Sequence, residues 1–570
     1  MTSVDSPQPP PLPTPVAETQ AVDPMPRAKS KLGAWIDRTS FRAAEFLNPI
    51  LIKEGRQALK SRGFSVPFLL VLLACLFWSF LGVSINENVY YGAVGWDFFS
   101  AYYLILAFPL LVIVPFGAFR SLTGEREDGT YELLSITTLR PLQIVNGKLA
   151  SALMQMAVYL SAVAPCIAFT YLLRGIDLFA IATMLFWLVS ASLLLSVFCL
   201  MLATLTTAKH WQVLMSVMVI AALMFIFFST FPIVLEGELQ RLPWGLAVET
   251  WEFWAGSFAT FSGVSMIGAL SYSVAHAQLK FPTDNRSTSV RIVMLLCSVV
   301  YTSWIGWASY TFSESADDVI APIAISAAFF FPFWFIMGAF LVGEYGELSR
   351  RIRRTLPKTM AGRMFTAWFI PGSGTGYVFT ICCAGAGSIF GIVMGFYADL
   401  RLPNTNTMFR FIDTRQLVQI LVYFPLYLVF YLSIGRLLVV GLRKRIHVGV
   451  VASLLLHLII LATGCIVPFA VDNISMQTNF RDMETRHIIE TTNVFWVLIE
   501  AYEDNISGTI FALHLLGLGG VSMILILLNL NSVIKEIRQQ RVAEPKRVRE
   551  EKAAQAGPPA PALPTNPFSD

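Results

Sequence analysis

The segment from Gly124 to Leu134 reads G-E-R-E-D-G-T-Y-E-L-L and continues through Ser135 to Arg140 and Pro141. Charge is dense at Glu125, Arg126, Glu127 and Asp128. Gly129 permits a tight turn. From Thr130, the residues Glu132, Leu133 and Leu134 predict a short helix near 130–140 that shows charge and a small apolar patch together. Pro141 ends that helix or bends it. A helix too short to cross a membrane, with that surface, suits docking into a groove on a soluble partner.

No catalytic constellation competes with it. No G-x-x-x-x-G-K-[ST] phosphate loop and no H-E-x-x-H pair occurs. Gly147-Lys148 lacks the upstream glycine such a loop needs. The chain is therefore not read as an enzyme, and no cofactor or metal is assigned to it. The histidines, His210, His276, His447, His457, His487 and His514, are too scattered for a metal site. His457 and His514 fall inside apolar runs, where a hydrogen-bonded packing role is expected. All seven cysteines also lie in apolar runs and read as small hydrophobes.

The elements that position these residues follow from composition. Of 570 residues, 55% are hydrophobic and only 14% charged, against roughly 25% charged in soluble domains. The mean hydropathy is +0.63. The apolar content falls in runs of about 20 residues, enough to span a bilayer. This excludes a soluble enzyme, a nucleic-acid binder and a disulfide-stapled secreted domain. It predicts an all-α membrane protein with twelve spans, near 67–85, 98–119, 148–173, 178–206, 211–233, 255–279, 291–312, 319–342, 373–397, 416–441, 447–471 and 509–530.

The net charge of +4 says little, but its distribution does. With the N-terminus in the cytoplasm, 34 of 41 Lys and Arg fall on cytoplasmic segments. Both termini are therefore expected in the cytoplasm. Arg436 is expected to snorkel to that face. The cluster Arg350, Arg351, Arg353 and Arg354 reads as a topological signal in contact with anionic lipid. Residues 472–508 read as the longest external loop. Trp244, Trp251 and Trp254 read as interfacial anchors.

Residues 1–45 form a proline-rich tail, and 531–570 a basic helix followed by a second such tail. At 46–66, Asn48 is a good helix N-cap and Pro49 suits the first helical position. Apolar residues recur at helical spacing against Lys53, Arg56, Gln57 and Lys60. That predicts an amphipathic helix in the cytoplasmic interface, with Glu54 and Arg56 on it. Gly117-Ala118-Phe119 with Gly124-Glu125 is echoed by Gly338-Ala339-Phe340 with Gly343-Glu344. The echo divides the membrane region into halves at 67–280 and 281–530, in parallel orientation, with a site expected where they meet.

An amphipathic helix before the first span, then an E-R-E-x-G-T-x-E-L-L loop leading to G-K before the third, resembles the permease subunits of ABC-2-type ABC transporters. The resemblance covers about residues 46–280. Beyond 281 it rests on the span count and the repeat, since Gly343 to Arg363 has the acidic start without the G-T-x-E-L-L core. It implies that 46–66 is the elbow helix, with Asn48, Pro49, Glu54 and Arg56. It implies that Glu125, Arg126, Glu127, Gly129, Thr130, Glu132, Leu133 and Leu134 form the ATPase-coupling element. The implied partner is a separate ABC ATP-binding subunit, in two copies, which holds the ATP. The implied location is the cell membrane, a bacterial inner membrane, with no nucleic acid involved. Homo- and hetero-oligomers both fit the sequence.

Two other classes remain open. A secondary transporter of two six-helix halves calls for buried carboxylates, and no Asp or Glu lies near the middle of a predicted span. A non-transporting scaffold or envelope-enzyme subunit would have no ATPase partner.

Overall fold

The computed structural model describes residues 49–85, 92–130, 140–205, 209–235, 250–281, 283–402, 412–477 and 489–539, with Arg547 and Glu550. Among these no strand occurs, and twelve helices are long and apolar enough to cross a membrane. They are span 1 (Arg62–Ile85), span 2 (Gly95–Glu127), span 3 (Pro141–Leu172), span 4 (Leu178–Leu205), span 5 (Trp211–Leu235) and span 6 (Trp251–Leu279). The rest are span 7 (Ser287–Thr311), span 8 (Asp317–Val342), span 9 (Ser373–Arg401), span 10 (Thr414–Leu442), span 11 (Val450–Ile474) and span 12 (Gly508–Gln539). The protein is an all-α multi-span membrane protein, as its composition requires. Several helices run past the apolar stretch at their charged ends, because backbone hydrogen bonding continues where water replaces lipid. The face that carries the helix Pro49–Lys60, called the elbow helix below for its position alone, is termed the inner face, and the opposite one the outer.

Two large hydrophobic cores form among the described residues, beside smaller clusters. The first gathers buried residues of spans 1–5 around Phe98, Tyr102, Leu106 and Leu110 of span 2. The second gathers spans 7–10 around Trp334, Phe379 and Leu432. Span 2 is the most enclosed of the first six, with 67% of its apolar window buried. Span 10, at 61%, holds that place in the second half. The sequence repeat would have matched span 2 to span 8, so the two halves are built around different helices. Span 6 joins the cores. On one side Phe261 meets Phe186 of span 4. On the other, Trp304 of span 7 donates its indole N–H to Ser262 at 2.7 Å. Trp251 stacks on Phe312, with ring centroids 5.4 Å apart.

The proline bend in span 2 is met by a side chain. Span 2 loosens into one π turn at Pro109–Ile113. There the Leu110 carbonyl accepts from Ser192 of span 4 at 2.5 Å. Such help is what lets proline sit inside lipid. At the outer end, Gly95 donates its N–H to the Arg174 carbonyl at 2.7 Å. A Cβ there would sit 2.2 Å from that oxygen, so only glycine fits.

The expected long external loop at 472–508 is corrected. Span 11 continues as helix to Gln477. A short 3-10 helix at Glu490–Thr492 and a helix at Val494–Tyr502 then lie against span 10 before span 12 begins. Tyr427 donates to the Thr491 carbonyl at 2.6 Å and Tyr431 to the Thr492 carbonyl at 2.5 Å. Thr492 donates to the Gly464 carbonyl of span 11 at 3.1 Å. Tyr427 and Gly464 each lie about 20 Å along their helices from an end, at 1.5 Å per residue. The tip of the segment therefore reaches about the middle of spans 10 and 11. It is re-entrant, because its apolar sequence V-F-W-V-L-I finds more apolar contact between spans than in water.

Candidate functional site

The elbow helix is observed at Pro49–Lys60. Pro49 opens it as expected, while Asn48 lies outside the described residues. Its buried Ile50 and Gly55 face inward, and Gly55 comes against Met154 of span 3, where a Cβ would sit 2.6 Å from the methionine methyl. Arg56 is exposed.

From that helix a chain of alternating charges runs into the protein. Lys53 Nζ lies 3.1 Å from Glu125 Oε1. Glu125 Oε2 lies 3.1 Å from Lys148 Nζ, which lies 2.9 Å from Glu54 Oε1. Lys148 also donates to the Ser121 carbonyl at 3.0 Å and is only 2% exposed. Elbow helix, end of span 2 and start of span 3 are thus held at one point. The Lys53 side chain is mostly exposed, and such a pair contributes about 0–1 kcal/mol. The enclosed Lys148 cannot lose its carboxylates so cheaply.

The rest of the predicted loop is distributed around this point. Arg126 donates to the carbonyls of Ala203 at 2.8 Å and Thr204 at 3.3 Å, so it caps the inner end of span 4. Glu127 pairs with Arg120 at 3.3 Å. Gly129 adopts φ +70, the left-handed turn that ends span 2. Thr130 donates its hydroxyl to the Glu125 carbonyl at 3.1 Å. Glu132, Leu133 and Leu134 lie outside the described residues, as does all but the two ends of the helix expected near 130–140.

The second half has its own inner-face network. Glu344, the repeat counterpart of Glu125, pairs with Arg291 of span 7 at 2.6 Å and accepts from Ser287 at 2.8 Å. Arg291 is fully buried and also donates to the Trp368 carbonyl at 3.0 Å and Thr375 at 3.2 Å. Arg443 donates to the Gly343 carbonyl at 2.6 Å and lies over the Tyr345 ring, 4.1 Å from its centroid. Burial pushes the Arg443 guanidinium below its ordinary pKa, and Tyr345 pulls it back. Glu536 of span 12 accepts from the Gly374 N–H at 2.9 Å and faces Arg436 at 3.6 Å.

Arg436 does not snorkel. It is 1% exposed, and it donates to Asn529 Oδ1 at 2.7 Å. The partner lies on a different span, which no sequence window contains. Arg353 and Arg363 of the basic segment cap span 12, on the carbonyls of Gln539 and Arg538. His457 is buried, with Nδ1 2.7 Å from the Ser453 carbonyl, in keeping with a packing role. His514 lies 3.0 Å from the Tyr423 hydroxyl. Reading the sequence missed Lys148, Arg291 and Arg443 as ion-pair or cap residues. The signal available was their position at the edge of an apolar run. No group of three or more His, Cys, Asp or Glu suited to a metal ion occurs among the described residues.

These features define a multi-span membrane protein, with twelve candidate spans among the described residues, whose inner-face charges are built into helix ends. Comparison with protein-family models, with curated proteins and with solved structures finds no match.

Proposed function

We propose that this chain is the membrane permease subunit of an ATP-driven transporter of the ABC-2 type, an exporter, coupled to two copies of a separate ATP-binding subunit. The positive-inside count makes the inner face cytoplasmic, with both termini there. The observation that carries the reading is the charge chain Lys53–Glu125–Lys148–Glu54. It fastens the end of the charged loop to the elbow helix and to span 3. A push delivered to the loop by closing ATPase subunits would then move two spans and the elbow helix together. ATP binding need only bias two states a few kcal/mol apart.

The test is ATP turnover. The purified chain alone should show none above background, and the chain with its ATP-binding partner should show turnover. Robust hydrolysis by the isolated chain overturns the reading.

A second reading, a secondary transporter, is favoured by one observation. Glu490 and Glu500 are buried within the re-entrant segment, where no predicted span had put a carboxylate. Transport driven by an ion gradient, without nucleotide, would favour it.

A further inference from the structure

Between spans 8 and 9 the inner face carries two short helices, Arg350–Thr355 and Met360–Ala367. Ser349 caps the first by accepting from the Ile352 N–H at 3.5 Å. Thr359 caps the second by accepting from the Gly362 N–H at 3.2 Å. The segment is tied down at both ends. Ser349 donates its N–H to the Thr283 carbonyl at 2.9 Å, and the Phe369 carbonyl accepts from Thr288 of span 7 at 2.6 Å. The second helix also packs Met360 and Ala367 against Val533 and Ile537 of span 12.

The opposite face of that helix is apolar and uncovered. Ala361, Met364, Phe365 and Trp368 recur at three- and four-residue spacing and so share one face. All four are exposed, Phe365 at 77%. Their level in the molecule matters. Val533 and Ile537 lie past the apolar run of span 12, among Lys535, Glu536 and Arg538. The apolar face therefore stands where the helices turn charged, outside the hydrocarbon layer. Against water it is unfavourable. At the boundary of headgroups and acyl chains it is stabilised, as in helices that lie along a membrane surface.

Charge selects the lipid. Arg350, Arg351, Arg353, Arg354, Lys358 and Arg363 lie in this segment, and no Asp or Glu occurs from 348 to 398. Arg353 and Arg363 are engaged on the end of span 12. Arg350 and Lys358 are exposed. Arg354 Nε is a buried donor with no hydrogen-bond partner among the described residues. A basic cluster by itself fits a topological signal. Beside an uncovered apolar face it fits a ligand with acyl chains and an anionic phosphate.

We propose that the segment 349–368 is a membrane-surface anchor that binds anionic phospholipid. Ala361, Met364, Phe365 and Trp368 enter the acyl boundary, while Arg350, Arg354 and Lys358 hold the headgroup phosphate. The inference goes beyond the ATPase reading and does not depend on it, since its test uses the full chain alone.

The chain is placed in nanodiscs of phosphatidylcholine, or of phosphatidylcholine with phosphatidylglycerol, and amide hydrogen exchange is followed by mass spectrometry. Exchange at 360–368 should slow by about tenfold in the anionic discs, because binding to the closed helix suppresses its opening. The difference should shrink as salt is raised. Native mass spectrometry then compares the two lipids retained by the chain. Arg350→Gln with Lys358→Gln should lower the preference for phosphatidylglycerol by about fivefold per neutralised cation. With benzoylphenylalanine in place of Phe365, irradiation in native membranes should give lipid adducts. Equal exchange in the two discs, or a lipid preference unchanged in the double variant, overturns the proposal. Crosslinks from position 365 to a soluble protein overturn it too, and assign the face to a partner. The wild-type comparison of discs decides the matter even where a variant fails to fold.

Discussion

The Lys148 ammonium stands 3.1 Å from the Glu125 carboxylate, sealed from solvent between two spans and the elbow helix. Breaking a buried pair leaves the remaining charge uncompensated, at about 3–5 kcal/mol. Lys148→Met should therefore lower the unfolding midpoint of the purified protein markedly. Adding Glu125→Gln and Glu54→Gln to it should restore much of the loss, because no charge is then stranded. A triple variant no more stable than the single one would show that the lysine acts through packing alone.

Arg436 makes a parallel case at the inner end of span 10. Its side chain reaches Asn529, Ser532 and Glu536 of span 12. Arg436→Ala should loosen span 12 and raise hydrogen exchange of backbone amides around 529–539. Arg443→Ala removes the capping of the Gly343 carbonyl and should act around 343–345 instead. An identical exchange pattern for the two variants would contradict separate roles.

For the proposed coupling element, Glu132→Ala with Leu133→Ala should remove a charged contact and an apolar anchor together. Truncating a well-buried interface residue typically costs ~1–4 kcal/mol, or roughly ten- to a thousandfold in affinity. Pull-down of the ATP-binding subunit should fall by about that factor while membrane expression holds. Arg350→Ala with Arg351→Ala should matter less, since that segment lacks the G-T-x-E-L-L core. Intact pull-down and ATP turnover in the first double variant would remove the main support for the family reading.

Orientation is checked by reporter fusions. Those after Arg291, Arg363 and Arg445 should report cytoplasm, and those near Asp317 and Asp504 the outside. A signal from outside at Arg363 would break the assignment of both termini to the cytoplasm.

Much of the architecture was legible in the sequence because its causes are local. A run of about 20 apolar residues must cross lipid as a helix, since every backbone polar group has to be satisfied within the segment. Twelve such runs gave twelve spans. Pro49 opened the elbow helix where its missing N–H costs nothing, and Gly129 closed span 2 in the left-handed turn. These outcomes need only a few neighbouring residues. What the tertiary structure alone decided depends on residues far apart in the chain. Lys148 and Glu54 are separated by 94 positions, and Arg436 and Asn529 by 93. No periodicity within one helix can announce such pairs. The same holds for the segment at 490–507. By hydropathy it is short and interrupted by charge, and so reads as a loop. It packs between two other helices because Tyr427 and Tyr431 donate to its backbone carbonyls and the Gly464 carbonyl accepts from its Thr492 hydroxyl, hydrogen bonds that lipid cannot supply.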